Sequence, residues 1–287
     1  MIPTKERNAF SILLSYESEN ILVDCGEGTQ RQLRLINFSP AKITKILITH
    51  WHGDHILGLP GLLQTLAASN YSKTLEIYGP KNTKTFLNKI MGMFVNQGSL
   101  KTSIKEINND GVFYKNENLS INAVKLDHTT ICLGYSIVES DKRKINLDYL
   151  KKFGLSKHPL LGKLQRGESI VYKGKKITAD KSTVIKKGKK ITIITDTKLC
   201  NQCYAISKDS DLLICESTFL SNLKEKASDY KHLTAEQAAL IAKKSNSKKL
   251  FLTHFSQRYK DSKEIELEAK KFFKDSHLAS DLLSVNI

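Results

Sequence analysis

The chain has 287 residues, 40% of them hydrophobic, and its 45 lysines and arginines outnumber its 29 acidic residues. This length suits one large domain or two small ones, either with a sizeable core. No apolar run approaches the roughly 18 residues of a membrane span, and the N-terminus lacks a signal-peptide pattern. These features argue against membrane-embedded and secreted classes, and we expect a cytoplasmic protein with no membrane partner.

The predicted elements alternate between buried strands and amphipathic helices over most of the chain. Short β-branched runs at residues 21–24, 46–49, 75–78, 191–195, 212–215 and 250–253 are typical of buried strands. Helical patterns cover residues 28–36, 59–68, 81–94, 234–244 and 263–273. This alternation predicts an α/β fold in which helices cover two sheets.

The segment 142–190 interrupts the alternation. It combines a short helical stretch near residues 147–153 with a possible hairpin at residues 171–178. Sixteen of its residues are Lys or Arg and three are acidic, so it holds +13 of the formal net charge of +16. A localised excess of this size indicates a polyanionic partner. Charge alone leaves one alternative open, a solvated lysine-rich loop.

The cysteines are five in number and scattered through apolar segments, which is a poor disulfide framework. Cys200 and Cys203 form a C-x-x-C pair, but a single pair cannot complete a four-ligand zinc site. We therefore expect reduced thiols with a structural role.

A dense group of metal-ligand residues follows the predicted strand at 46–49. His50, His52, Asp54 and His55 lie within six positions, on a turn at the carboxyl end of that strand, where α/β sheets commonly bind ligands. His50 and His52 can face one metal while Asp54 and His55 turn toward a second. Imidazole and carboxylate suit zinc and tolerate manganese or cobalt. This turn is the strongest functional signal in the sequence.

Further candidate ligands occur at the ends of other predicted strands. They are His128, Asp196 and His254. A carboxylate such as Asp196 can bridge two cations and hold them about 3.5 to 4 Å apart. His158 and His277 lie outside every motif and are predicted to be structural or surface residues.

These motifs resemble those of the metallo-β-lactamase superfamily and, within it, the ribonuclease Z family of tRNA 3′-processing endonucleases. The resemblance runs through most of the chain. It rests on residues 3–8 (P-T-K-E-R-N), 24–30 (D-C-G-E-G-T-Q), 50–63 (H-W-H-G-D-H-I-L-G-L-P-G-L-L), 195–197 (T-D-T) and 253–256 (T-H-F-S).

The resemblance implies a single αββα sandwich over residues 1–287, with the segment 142–190 as an inserted exosite arm that grips precursor tRNA. It also implies a homodimer. Two zinc ions would each be held by three residues with Asp196 shared: His50, His52 and His128 on one side, and Asp54, His55 and His254 on the other.

The same resemblance implies that the 3′ trailer is removed by phosphodiester hydrolysis, leaving a tRNA 3′-hydroxyl and a 5′-phosphorylated trailer. Asp54 would also accept the proton of the nucleophilic water, and Glu216 and His232 match a pair near the leaving group. A histidine tuned by a carboxylate is a sensible general acid for an alkoxide leaving phosphorus. From the bare sequence, His232 could equally begin a helix with no chemical task.

One departure concerns the N-terminus. The family begins with a strand and a Gly-Thr turn before the segment that matches residues 3–8, whereas this chain begins at Met1. The family's first strand is expected to be absent from this sequence. Either the start site is assigned too late, or the protein lacks an edge strand, which would leave neighbouring backbone groups unpaired.

Two other functions stay open. A small-molecule metallohydrolase, such as a thioesterase, lactonase or arylsulfatase of the same fold, would not need the basic arm or the segment around His232. A non-catalytic RNA-binding module would not need a competent residue at every ligand position. A zinc assay would separate the second alternative from an enzyme.

Overall fold

Two β-sheets packed face to face form the body of the protein, which is described by a computed structural model over residues 2–95 and 99–287. The strands are β1 (Ile12–Tyr16), β2 (Glu19–Val23), β3 (Lys45–Leu47), β4 (Leu75–Pro80), β5 (Thr102–Ile107), β6 (Gly111–Lys115), β7 (Leu119–Leu126), β8 (Cys132–Glu139), β9 (Lys142–Ile145), β10 (Ile170–Tyr172), β11 (Lys175–Ile177), β12 (Thr183–Lys186), β13 (Lys190–Ile194), β14 (Leu212–Glu216), β15 (Leu250–Thr253) and β16 (Ser276–Leu278).

The α-helices follow the strands closely in chain order. They are α1 (Thr29–Leu35), α2 (Gly53–Ile56), α3 (Leu59–Ala68), α4 (Thr83–Met91), α5 (Leu147–Lys151), α6 (Leu161–Gln165), α7 (Ala179–Ser182), α8 (Asn201–Ser207), α9 (Lys224–Asp229), α10 (Ala235–Lys244) and α11 (Lys263–Phe272). Short 3₁₀ turns lie at Pro40–Lys42 and Ser221–Leu223. None of the described helices is long and apolar enough to span a bilayer.

The first sheet has the strand order β1-β2-β3-β4-β5 and the second has the order β16-β15-β14-β13-β8-β7-β6. In the first sheet only the β1–β2 pair is antiparallel. In the second sheet β13 to β16 are parallel, and β13 pairs with β8 in the antiparallel sense. The parallel strands therefore deliver their carboxyl ends to common edges, where loops can gather functional side chains.

Apolar side chains from both sheets fill the space between them. Val23 and Leu47 of the first sheet and Ile121 and Ile193 of the second belong to one buried cluster. Tyr135, in the same cluster, donates a 2.6 Å hydrogen bond to the carbonyl oxygen of Ile48. This bond satisfies a buried hydroxyl and ties the two sheets together near the predicted metal turn.

Helices cover the outer faces, as the sequence predicts. Leu59, Leu62, Leu63 and Leu66 of α3 recur at helical spacing and are buried against the first sheet. On the second sheet, α10 begins with a capping box in which Thr234 accepts from the Gln237 main chain. The predicted helix 81–94 is shorter than expected, because its N-cap residue Asn82 has a positive φ of 74° and the helix ends before Gly92.

The arm, residues 142–190, has a core of its own. Its base is the antiparallel ribbon of β9 and β12, and its buried side chains are Leu150, Leu155, Leu164, Ile170 and Ile177. The predicted hairpin is confirmed as β10 and β11, joined by Lys173 and Gly174, whose φ values of 49° and 72° fit a tight turn between twisted strands. The basic residues of the arm are exposed, except Arg143, Lys189 and Lys190.

Strand β1 is an edge strand that pairs only with β2 among the described residues. A cavity of about 900 Å³ lies beside it, lined by Leu14 of β1, by Ile214 and Phe251 of the second sheet, and by C-terminal residues that include Val285. The expectation that the family's first strand is absent stays a prediction.

Candidate metal centre

All seven predicted ligands lie together at one edge of the sandwich. All lie shortly after a strand. Residues 50–55, which run from a loop into α2, follow β3, and His128, Asp196 and His254 follow β7, β13 and β15. They form two groups whose nitrogen and oxygen atoms lie within 4.8 Å of one another: His50, His52, His128 and Asp196, and Asp54, His55, Asp196 and His254. Asp196 belongs to both groups.

The carboxylate of Asp196 faces the two groups with different oxygens. Its Oδ1 lies 3.5 Å from Nε2 of His55 and 3.2 Å from Nε2 of His254. Its Oδ2 lies 3.7 Å from Nε2 of His50 and 3.8 Å from Nε2 of His128. Burial would raise the pKa of Asp196, but the neighbouring His254 and His55 hold it well below its usual range. An ionised carboxylate in this position can bridge two cations.

Asp54 is the more open of the two carboxylates. Its Oδ2 lies 3.5 Å from Nε2 of His55 and 3.4 Å from Nε2 of His254. Its side chain is 15% exposed, against 3% for Asp196. Asp54 therefore sits where a metal ligand could also reach a water molecule or a substrate.

Groups behind the ligands hold three of the imidazole rings, those of His50, His55 and His128, with Nε2 toward the centre. Nδ1 of His55 is hydrogen-bonded to Asp24 at 2.7 Å, and Nδ1 of His50 to the Thr49 hydroxyl at 3.0 Å. Nδ1 of His128 likewise contacts the main-chain oxygen of Lys231 at 3.1 Å. Such contacts fix the ring orientation and the tautomer that a metal requires.

Asp24 begins the motif of residues 24–30, but no role at the centre is predicted for it from the sequence. It is fully buried, and besides His55 it accepts hydrogen bonds of 2.7 Å from both the main chain and the hydroxyl of Thr49. The sequence carried a usable signal, since Asp24 ends a buried strand just as Asp196 follows one. Its φ of 57° and the 59° of His254 are rare for residues other than glycine, and such strain is common at functional sites.

Gly26 lets the loop after β2 approach the metal turn. A Cβ atom added to Gly26 would lie 2.5 Å from the main-chain oxygen of Asp54. The Cys25 amide also donates a 2.8 Å hydrogen bond to the carbonyl oxygen of His55. The loop that carries Asp24 is therefore packed directly against the loop that carries the ligands.

Three buried atoms indicate that this centre is built for a cation. Nε2 of His50, Nε2 of His55 and Oδ1 of Asp196 lie near other ligand atoms but form no hydrogen bond of acceptable geometry within residues 2–95 and 99–287. Burial lowers the pKa of His50 and lowers that of His254 to about 4, which favours neutral, metal-competent rings. Buried polar atoms seldom lack partners, and the donor set of imidazole and carboxylate suits a divalent metal ion.

His55 differs from the other rings in its electrostatics. Burial would lower its pKa, but the carboxylates of Asp196 and Asp24 raise it to about 9. The negative potential that stabilises a proton on Nε2 of His55 would equally stabilise a metal cation there. The raised pKa is thus a second sign of a cation site.

The predicted pair of Glu216 and His232 lies beside the centre. Nδ1 of His232 is 3.1 Å from both carboxylate oxygens of Glu216, which also accepts from the Thr197 amide at 2.7 Å and from the Thr218 hydroxyl at 2.6 Å. Burial would lower the pKa of His232, but Glu216 raises it to about 9. Ring centroid distances of 5.3 Å to His128 and 5.4 Å to His254 place His232 between the two ligand groups.

The two remaining histidines lie away from the centre. Nδ1 of His158 accepts a hydrogen bond from the Leu160 amide within the arm. His277 lies on β16 and pairs with Asp275, which lies on the loop before that strand. Neither belongs to any group of metal-ligand side chains found in the described part of the chain. Their predicted structural or surface role agrees with these contacts.

Comparisons with known proteins place the chain in a family. The model of the metallo-beta-lactamase superfamily matches residues 4–108. The chain is 41% identical to ribonuclease Z of Nanoarchaeum equitans (strain Kin4-M) over 265 residues, which cover 91% of this chain and 82% of that protein. It is 36% identical to ribonuclease Z of Bacillus cereus (strain ZK / E33L), covering 99% of this chain and 95% of that protein.

A solved structure supports the same placement. The short form of human tRNase Z superposes with a TM-score of 0.72 at 28% identity, covering 100% of this chain and 96% of that one. This likeness confirms the predicted metallo-β-lactamase sandwich, and the curated relatives confirm the resemblance drawn from the motifs. The chain therefore belongs to the ribonuclease Z family of the metallo-β-lactamase superfamily.

Proposed function

We propose that this protein is a zinc-dependent endoribonuclease that removes the 3′ trailer from precursor tRNA. The observation that carries the proposal is the split centre around Asp196 with the Glu216–His232 pair beside it. The names of its relatives, ribonuclease Z and tRNase Z, support the substrate class. A thioester or lactone hydrolase of this fold would have no use for the basic arm.

The proposed centre holds two zinc ions, and manganese or cobalt can replace them. His50, His52 and His128 would hold one ion, Asp54, His55 and His254 the other, and Asp196 both, in keeping with the two groups of ligand atoms. When bound, such ions lower the pKa of a water molecule toward about 7 and withdraw charge from a phosphodiester.

Asp54 is the proposed proton acceptor for the attacking water. Its carboxylate is among the ligand atoms yet is 15% exposed, so it can face the substrate side of the centre. The buried Asp196, at 3% exposure, is suited to holding cations and not to exchanging protons with substrate water.

His232 is the proposed general acid for the departing 3′ oxygen of the tRNA. A protonated imidazole with a pKa raised to about 9 by Glu216 carries its proton at neutral pH. Nδ1 is engaged by Glu216, which leaves Nε2 to donate toward the substrate. The products would be a tRNA with a 3′-hydroxyl and a trailer with a 5′-phosphate.

The arm is the proposed exosite. Its exposed lysines and arginines can neutralise phosphates of the tRNA and supply affinity that depends on shape and not on sequence. A homodimer, in which the arm of one subunit serves the centre of the other, and a cytoplasmic location complete the proposal.

The experiment that tests the function is cleavage of a precursor tRNA that carries a 3′ extension. We expect one cut next to the discriminator nucleotide, loss of the cut with a chelator, and its return with added zinc. Sequencing and end-labelling of the products would identify the 3′-hydroxyl and the 5′-phosphate.

A matched RNA that has the same length but cannot fold into the tRNA shape serves as the control and should be cut poorly. Zinc-loaded, folded protein that leaves the precursor intact would contradict the proposal. In that case a panel of thioesters and lactones would show whether the centre serves a small-molecule substrate.

A further inference from the structure

A pair of cysteines lies close to the metal centre without belonging to it. The sulfur atoms of Cys200 and Cys203 are 3.5 Å apart. Cys200 directly precedes α8 and Cys203 lies in its first turn. Neither sulfur belongs to a group of three or more metal-ligand side chains in the described residues, so the pair does not fit a metal site.

The two thiols differ in access and acidity. Cys200 is partly exposed, whereas Cys203 is completely buried. The hydrogen bond with Cys203, with smaller effects of the Asp127 main chain and the Thr197 side chain, lowers the pKa of Cys200 to about 6. The same interaction with Cys200, together with burial, raises the pKa of Cys203. An accessible thiolate next to a buried thiol is the arrangement that thiol–disulfide exchange requires.

The other cysteines lack these properties. Cys25, Cys132 and Cys215 are at most 1% exposed. Burial raises the pKa of Cys25 to about 12 and raises those of Cys132 and Cys215 well above the usual range. An oxidant that acts on thiolates should therefore react at Cys200 first.

The loop that carries Cys200 also supports the centre. Within it, the Lys198 amide donates to the main-chain oxygen of Asp127 at 2.7 Å, and the Asp127 amide donates to the Thr197 hydroxyl at 3.1 Å. The Thr197 amide donates to Glu216 at 2.7 Å. This short loop thus connects three parts of the centre, which are Asp196, the segment that carries His128, and Glu216, the carboxylate that pairs with His232.

We propose that Cys200 and Cys203 are a reversible oxidation site, at which a low-molecular-weight disulfide forms an intramolecular disulfide that lowers the activity of the neighbouring centre. To bond, the sulfurs must close from 3.5 Å to about 2.05 Å. Cys200 then moves toward the buried Cys203 and away from Thr197 and Asp127. The part of this inference that concerns activity rests on the proposed function.

The reaction balances in two exchanges. The Cys200 thiolate, whose proton has passed to the solvent, attacks one sulfur of the small disulfide and breaks its S–S bond, and the expelled thiolate takes up a proton from the solvent. Cys203 then gives up its proton and attacks the Cys200 sulfur, breaking the mixed disulfide and releasing the second thiol. Two protein thiols are oxidised, one small disulfide is reduced, and the two protons end on the released thiols.

The test equilibrates the zinc-loaded protein with glutathione buffers of rising oxidised fraction. We expect the intact mass to fall by two hydrogens and peptide mapping to link Cys200 with Cys203. Cleavage of precursor tRNA should fall at least about tenfold, the scale on which displaced supports of metal ligands act. Dithiothreitol should restore the activity.

The variants Cys200→Ser and Cys203→Ser separate the steps. Cys200→Ser should keep its activity in every buffer, and Cys203→Ser, or Cys203→Ala should the serine destabilise the core, should stop at a mixed disulfide on Cys200. Failure to detect the Cys200–Cys203 link in oxidising buffer, or full activity of the linked protein, overturns the proposal. Because the link is read by mass, an inactive reduced enzyme would count against the proposed function alone.

Discussion

The metal centre and the arm are built on opposite principles. In the centre, seven ligand side chains lie just beyond strands that are packed in the buried core. Hydrogen bonds from neighbouring residues fix the orientation of most of the imidazole rings. The arm is connected to the body through the ribbon of β9 and β12 and has a small core of its own. Most of its lysines and arginines are exposed to solvent. The ligand side chains are thus preorganised by their surroundings, whereas the arm offers accessible charge.

This difference predicts that catalysis and substrate affinity can be damaged separately. A change in the centre should affect every substrate alike, because the same ligands act on any phosphodiester. A change in the arm should affect only a large polyanion. Two substrates, precursor tRNA and bis(p-nitrophenyl) phosphate, make the distinction measurable.

The largest effect is expected for Asp196→Asn. The substitution keeps the shape of the side chain and removes the charge that faces both groups of histidines. We expect both substrates to be cleaved on the order of 10⁴-fold more slowly, which is the scale of loss when one member of a set of cooperating catalytic groups is removed. The metal content should also fall. Steady-state rates and atomic absorption would measure the two losses.

The control for this change is Asp127→Asn, because Asp127 carries a carboxylate close to the centre that pairs with Lys231 and not with the ligands. Its metal content should stay at the wild-type value. Near-normal turnover by Asp196→Asn, with metal content unchanged, would contradict the bridging role.

A smaller and more selective effect is expected for His232→Ala. Because His232 is proposed to protonate the leaving oxygen, its loss should slow cleavage of precursor tRNA by roughly 10²- to 10⁴-fold. Bis(p-nitrophenyl) phosphate should be affected much less, since p-nitrophenolate leaves without a proton. Turnover numbers for the two substrates provide the measurement.

Glu216→Gln should follow the same pattern more weakly, because the histidine remains while the carboxylate that raises its pKa is removed. Equal losses on both substrates in His232→Ala would instead indicate a structural role beside His128 and His254.

The sequence predicts the centre better than it predicts the sheets. Four ligands are local in the chain, and the others follow buried strands, so residue type and position together identify them. The contact between Asp24 and His55 could not be predicted, because the two residues are 31 positions apart and only the fold brings their side chains to 2.7 Å. The roles of the metal ligands and of His232 stay predictions that the variants above would test.

Among the strands, the more buried ones match the predicted ranges, whereas the partly exposed β5 and β6 are not predicted from the sequence. Strands β13, β14 and β15 are rich in apolar residues and largely buried, and the predicted ranges match them within two residues. Strands β5 and β6 are partly exposed and mix lysine, serine and threonine with apolar residues. Their local sequence pattern does not distinguish them from loops. They form strands because neighbouring strands pair with them.

The smallest effect is expected at the tip of the arm. Lys173, Lys175 and Lys176 lie at or beside the β10–β11 turn and are exposed. Replacing all three by Gln should leave the turn intact, since Gly174 is kept. For each tRNA phosphate that the variant no longer neutralises, the slope of log affinity against log salt should become shallower by about 0.7 to 0.9.

The control for the arm variant is a second triple variant that removes the same charge elsewhere on the surface. Lys73, Lys101 and Lys115 are exposed lysines outside the arm, and their replacement by Gln removes the same charge from the molecule. If the arm binds tRNA locally, only the arm variant should raise KM for precursor tRNA and flatten its salt dependence, with bis(p-nitrophenyl) phosphate hydrolysis unchanged in both. Equal losses in the two variants would mean that the net charge of +16, and not the arm, attracts the substrate.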